Sequence, residues 1–102
     1  MCQIFASTDP DLFAPVTRSV RIAGVVTSVR LEAMFWSRLD EIAASQSMPT
    51  ARFLSVLYDE VVELRGEIGN FASLLRVICC RHAETSAAAA ADRRVRLDSS
   101  AA

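Results

Sequence analysis

Thr27-Ser28-Val29-Arg30-Leu31-Glu32 runs straight into Ala33-Met34-Phe35-Trp36, and over this stretch the hydrophobic period changes from two to about three and a half. Such a switch is a strand feeding a helix. Val29 and Leu31 point to one face of the strand and Ser28 and Arg30 to the other. Phe35, Leu39 and Ile42 then fall on one helical stripe. A strand this short is not stable alone, so what pairs with it decides the fold.

Upstream, residues 18–31 are rich in β-branched side chains and alternate, with a break of parity at Ala23-Gly24. A tight hairpin turn there puts Val20, Ile22, Val25, Thr27, Val29 and Leu31 on one face and Arg21, Val26, Ser28 and Arg30 on the other. A bulge at Gly24 within one longer strand is the competing reading, and the residues do not choose between them. Residues 1–17, with Pro10 and Pro15, read as an irregular arm anchored by Ile4, Phe5, Leu12 and Phe13.

Downstream, a first helix is expected from about Glu32 to Ser45, with its opening acid favourably placed against the helix dipole. Met48-Pro49-Thr50 makes a break, with Thr50 as the expected N-cap of a second helix that carries Phe53, Leu57, Val61 and Leu64 on one face until Gly66. Asn70 is suited to cap a third helix with Phe71, Leu74, Leu75 and Ile78 inward, ending near His82. Residues 83–102 are an Ala- and Arg-rich low-complexity tail, expected to be mobile unless the alanine run extends the third helix.

With 102 residues and 52% apolar composition, the chain suits one small domain, and a small domain gains stability by pairing with a second copy. The formal net charge of −1 argues against a protein that coats nucleic acid through bulk positive field. Its distribution is uneven. Arg18, Arg21, Arg30 and Arg38 outweigh Glu32 around the strand, whereas Asp40, Glu41, Asp59, Glu60, Glu63 and Glu67 outweigh Arg52 and Arg65 in the following helices. The acidic run on the second helix is a solvated face or a dock for a basic partner. All 11 Lys-or-Arg positions are Arg, the side chain suited to forked contact with phosphate or guanine.

Three cysteines, two of them adjacent at Cys79 and Cys80, make no disulfide framework, and no secretory signal or membrane span is evident, so a cytoplasmic protein is expected. Cys79 and His82 share a helix face at i, i+3, yet a closed zinc site needs four ligands, so the thiols read as packing groups and no metal or cofactor is expected. One His, no Gly-rich phosphate loop and no nucleophile elbow leave acid–base or covalent catalysis without partners; no enzyme is expected.

The segment TSVRLEAMFW, followed by LDEIA and later by NFASLLRV, resembles the bacterial ribbon-helix-helix family, whose members carry a TSV-x-LE strand, a Phe-Trp pair on the first helix and a short third helix opening with Asn. The resemblance covers roughly residues 18–82, and Met1-Cys2 with Asp9-Pro10 is similar to a subset of that family. It implies a mainly helical fold with a short N-terminal β-strand: an intertwined homodimer of ribbon-helix-helix type with an added third helix. Each chain would lend a strand to an antiparallel ribbon, and Val29, Leu31, Phe35, Trp36 and Leu39 would form the dimer core. Such a protein binds double-stranded DNA as a transcriptional regulator, with the ribbon in the major groove and the second helix's N-terminus on a phosphate.

The groove-facing set is then Val26, Ser28 and Arg30, with Arg21 as an additional contact; Arg30 is suited to fork onto guanine, Ser28 to bond several bases and Val26 to touch a thymine methyl. Thr50, Ala51 and Arg52 would hold the phosphate. Where many relatives have His and Arg, this chain has Val25 and Val26, a less polar ribbon with one charge fewer. That substitution supports the alternative of a dimeric interaction module or an antitoxin with weak or no DNA binding. Dimers stacking into tetramers on DNA are left open.

Overall fold

The computed structural model describes residues 2–101, with side chains described for residues 3–94. Two short helices, α1 (Cys2–Ala6) and α2 (Pro10–Phe13), precede the strands β1 (Pro15–Ile22) and β2 (Val25–Glu32); the helices α3 (Ala33–Ser45), α4 (Thr50–Arg65) and α5 (Phe71–Ala101) follow. Asp9 caps α2 by accepting the Asp11 amide at 3.0 Å. The apolar side chains of this arm do not anchor it: Ile4 and Phe5 are each 75% exposed, because no other element lies over them.

β1 and β2 form an antiparallel hairpin in which Ile22 faces Val25. The loop is therefore Ala23-Gly24 alone, and both residues hold positive φ, 51° and 79°. Positive φ at both central positions is the requirement of the turn whose twist matches a hairpin. The bulged single strand is thereby excluded. The partner expected from a second copy is supplied within the chain by Pro15–Ile22, which also carries the ribbon back to residue 15.

The inner face of the hairpin packs on the helices. Val20, Ile22, Val29 and Leu31 join Trp36, Leu39, Ile42, Ala43, Phe53, Leu54, Leu75 and Cys79 in one core. Thr27 and Val25, on the same parity, lie exposed toward the turn, where the helices no longer cover the sheet. Four of the five side chains expected in a dimer core, Val29, Leu31, Trp36 and Leu39, are buried inside one chain, and Phe35 is half-buried against the same core. The in-chain strand closes over them.

α3 ends in a tight double-bonded stop: the Met48 amide donates to the Ala43 carbonyl and the Ser47 amide to that of Ala44, both at 3.0 Å, with Ser47 at φ 58° in the position glycine usually takes. Pro49, not Thr50, is the N-cap of α4. On α4, Phe53 is buried as expected, Leu54 is fully buried although absent from the expected stripe, and Leu64 is 83% exposed at the far end. Asn70 caps α5, its Oδ1 accepting the Ser73 amide at 3.0 Å. That helix does not stop near His82; the alanine run, with the strongest helix propensity of any residue, carries it to Ala101.

Candidate nucleic-acid interface

The pleat that buries Val20, Ile22, Val29 and Leu31 sends Thr17, Ser19, Arg21, Val26, Ser28 and Arg30 to the opposite face, and all six are exposed. Cross-strand register pairs Thr17 with Arg30, Ser19 with Ser28 and Arg21 with Val26. A central serine pair is thus flanked by one arginine on each side, about 14 Å apart along the ribbon. The predicted Val26, Ser28, Arg30 and Arg21 all share this face. Thr17 and Ser19 join this face beyond the expected set, which takes the alternating stretch from residue 18 and names only Arg21 from the upstream strand, although the alternation Thr17, Ser19, Arg21 continues the same parity.

The basic count around the strand is smaller in space than in sequence. Arg18 lies on the inner face, where its guanidinium forks onto Asp40, Nη1 to Oδ1 at 2.9 Å and Nη2 to Oδ2 at 3.2 Å, and stacks 4.5 Å from the Trp36 ring centre. Arg38 pairs with Glu41 at 3.3 Å. Arg21 and Arg30 are left as the arginines of the outer face.

Asp40 also accepts the Thr50 hydroxyl at 2.6 Å. Thr50 is therefore the first helical residue, tied by its side chain to α3, and its hydroxyl does not cap α4. The Arg18 hydrogen bonds hold the Asp40 carboxyl below the ordinary carboxylate range, against desolvation and with help from Thr50. Trp36 Nε1 donates to the Val16 carbonyl at 2.8 Å, so the same corner fixes β1, α3 and the start of α4 together. The first return bond of α4 runs from the Phe53 amide to the Pro49 carbonyl, 3.0 Å, and the cap has no side-chain bond. The amides of Thr50, Ala51 and Arg52 are then the donors that every helix start leaves unsatisfied by its own turn.

Arg21 meets this helix end. A shallow cleft between β1 and α4 is lined by Arg21, Ala51, Arg52, Ser55, Val56 and Asp59, which brings the predicted additional contact beside two of the three predicted phosphate-site residues. Thr50 belongs to the Asp40 corner instead.

On the other side, Glu32 precedes α3 and forks with Arg76 of α5, Nε to Oε1 at 2.8 Å and Nη2 to Oε2 at 3.3 Å. The Arg76 hydrogen bonds lower the Glu32 pKa. The Cys79 thiol is buried, donates to the Phe35 carbonyl at 3.7 Å and is pushed up to about 11 by desolvation, as befits a packing group and not a nucleophile. Among the described residues no three His, Cys, Asp or Glu side chains gather as a metal site, and no helix is long and apolar enough to cross a membrane.

A two-stranded ribbon followed by packed helices defines the class, and comparison agrees: the ribbon-helix-helix domain matches residues 15–83. The chain belongs to the ribbon-helix-helix family, whose domains are in general DNA-binding or regulatory, dimerise, and are typically not enzymes. It is similar to the solved structure of an uncharacterized protein from Bordetella pertussis Tohama I, at 45% identity and a TM-score of 0.84, over 87% of this chain and 71% of that one. No curated protein matches the chain.

Proposed function

We propose that the protein is a cytoplasmic homodimer that binds double-stranded DNA sequence-specifically and regulates transcription, with the outer face of its ribbon in the major groove. The observation that carries this reading is the continuity of the outer ribbon face with the start of α4 through Arg21 and Arg52. A two-stranded ribbon fits major-groove width. Alternate side chains then meet base edges: Arg30 forks onto guanine O6 and N7, Ser28 bonds several bases, and Val26 touches a thymine methyl. The amides of Ala51 and Arg52, with the Arg52 and Arg21 charges, hold phosphate and set the register of the ribbon.

Selection of bound duplexes from a random pool by the purified protein at near-physiological salt tests it. Recovery of a repeated motif with regular half-site spacing is the expected result. Uniform recovery of all sequences overturns it.

Val25 and Val26, 64% and 62% exposed at the ribbon tip, favour a second reading, an interaction module or antitoxin that uses the same fold against a protein. Under that reading no motif is enriched, and Val25→Ser with Val26→Ser abolishes capture of the protein partner while leaving stability unchanged.

A further inference from the structure

The hairpin repeats its own sequence. Ser19-Val20-Arg21-Ile22 on β1 returns nine residues later as Ser28-Val29-Arg30-Leu31 on β2. The register sets Ser19 opposite Ser28, and two antiparallel strands are related by a local two-fold axis through such a facing pair. That axis lays one copy of the motif on the other in order: Ser19 on Ser28, Val20 on Val29, Arg21 on Arg30 and Ile22 on Leu31. One chain therefore carries, within a single hairpin, a nearly two-fold symmetric surface.

Folding accounts for only half of the motif. Val20, Ile22, Val29 and Leu31 all enter the core, so inward packing explains the apolar members. The serines and arginines are exposed, and the core places no demand on them. Among the described residues neither Arg21 nor Arg30 has an ion-pair partner, in contrast to Arg18, Arg38 and Arg76. Arg21 reaches the Gly24 carbonyl at 3.5 Å, which leaves its fork open. Two residues before the serines stand Thr17 and Val26, both exposed and alike in shape, each offering a methyl group. Because Arg30 faces Thr17 and Arg21 faces Val26, each end of the motif presents one arginine beside one methyl.

We infer that the hairpin of a single chain is a two-fold reading head, whose target is a short inverted repeat in double-stranded DNA with one guanine on each strand. The inference rests on the duplex-binding reading above and goes beyond it by giving Arg21 the same base contact as Arg30. The Arg21 charge still favours a phosphate beside α4 at range; the repeat adds the fork of its guanidinium on guanine O6 and N7. Operator symmetry mirrors protein symmetry, so the axis through the serine pair falls on the centre of the element. The arginines lie about 7 Å to either side of that axis. At about 3.4 Å per base pair, the two guanines stand roughly four base pairs apart, with the serine hydroxyls over the bases between.

Symmetric bases also arise when two copies of a chain bind side by side, and substitution separates the two origins. A two-fold axis between copies puts the same residue on both bases. An axis inside the hairpin puts Arg30 on one and Arg21 on the other.

Duplex selection with the full-length parent, Arg21→Gln and Arg30→Gln tests this. Changing either guanine is expected to weaken parent binding about fivefold or more. Glutamine forks onto adenine, so Arg30→Gln should move preference from guanine to adenine at one member of the pair and Arg21→Gln at the other, each leaving the second guanine in place. A parent motif without the guanine pair overturns the inference. So does an Arg30→Gln variant that changes both guanines together, or an Arg21→Gln variant that weakens every sequence evenly without moving a base preference. In each of these cases the duplex-binding reading stands. A parent that selects no motif overturns both.

Discussion

The two faces of the hairpin share one backbone and carry opposite duties. Inward, Val20, Ile22, Val29 and Leu31 are at most 5% exposed and the one charged residue, Arg18, is held by Asp40 and Trp36. Outward, Thr17, Ser19, Arg21, Val26, Ser28 and Arg30 meet solvent. Because strand side chains alternate strictly, wherever the helices cover the inner face a substitution acts on folding or on recognition according to its parity. The sharpest break of this contrast is at Leu31, fully buried in the middle of the core. Leu31→Ala is expected to cost about 2–5 kcal/mol in urea unfolding, through lost burial and the cavity left behind. Its neighbour Arg30→Ala is expected to leave the unfolding midpoint within about 0.5 kcal/mol of the parent. Comparable losses at both positions contradict the assignment of faces.

The contrast should reverse when DNA binding is measured. Arg30→Ala is expected to weaken the selected duplex by about 1–3 kcal/mol and to relax preference at one base position, the loss of a forked contact to guanine. Arg52→Ala, at the helix start, should weaken all sequences evenly and reduce the salt slope by about one. Titrations of matched and scrambled duplexes at several salt concentrations separate the two outcomes. An Arg30 variant that loses affinity equally on every sequence moves Arg30 from base reading to phosphate positioning.

Parity made the two faces legible, while the choice between a hairpin and a bulged strand needed the positive φ at Ala23 and Gly24. Period two places Val29 and Leu31 against Ser28 and Arg30 with no knowledge of the partner strand, and Asn70 before an apolar stripe announces the start of α5. What parity does not supply is long-range pairing. Arg18 sits at an inward position, but only Asp40, 22 residues away, explains how a charge survives there. Thr50 has the right chemistry for a cap, but its hydroxyl goes to Asp40, and the helix starts one residue earlier from the extended backbone of Pro49 with no side-chain cap. Residues 83–94 have the composition of a tail and the propensity of a helix, and attachment to a formed α5 removes the nucleation cost that composition alone leaves standing.

The Arg18–Asp40–Thr50 corner gives the next effect in size. Both ion-pair side chains are more than 40% exposed, so Asp40→Asn is expected to cost only about 1 kcal/mol at neutral pH. The pH dependence has a definite sign. The folded Asp40 pKa lies below its ordinary value of 3.8, so its stabilisation is present above that value and disappears as pH falls through the folded one. Unfolding curves of parent and variant should therefore converge below about pH 4. A constant difference down to pH 2 would assign the effect to hydrogen-bond geometry and not to charge.

The smallest expected effect lies at the tip, where the two faces meet. Ala23 holds φ 51°, a left-handed conformation that a Cβ disfavours, while Gly24 holds 79° without that penalty. Asn tolerates the left-handed region better than Ala, and Asn-Gly is the preferred pair for this turn. Ala23→Asn is expected to raise stability by about 0.5 kcal/mol, seen as a small upward shift in thermal midpoint. The residue touches neither the core nor the groove-facing set, so duplex selection should recover the same motif. A shifted motif would mean that the turn sets the twist of the ribbon, and that reading and folding are coupled through the one segment belonging to neither face.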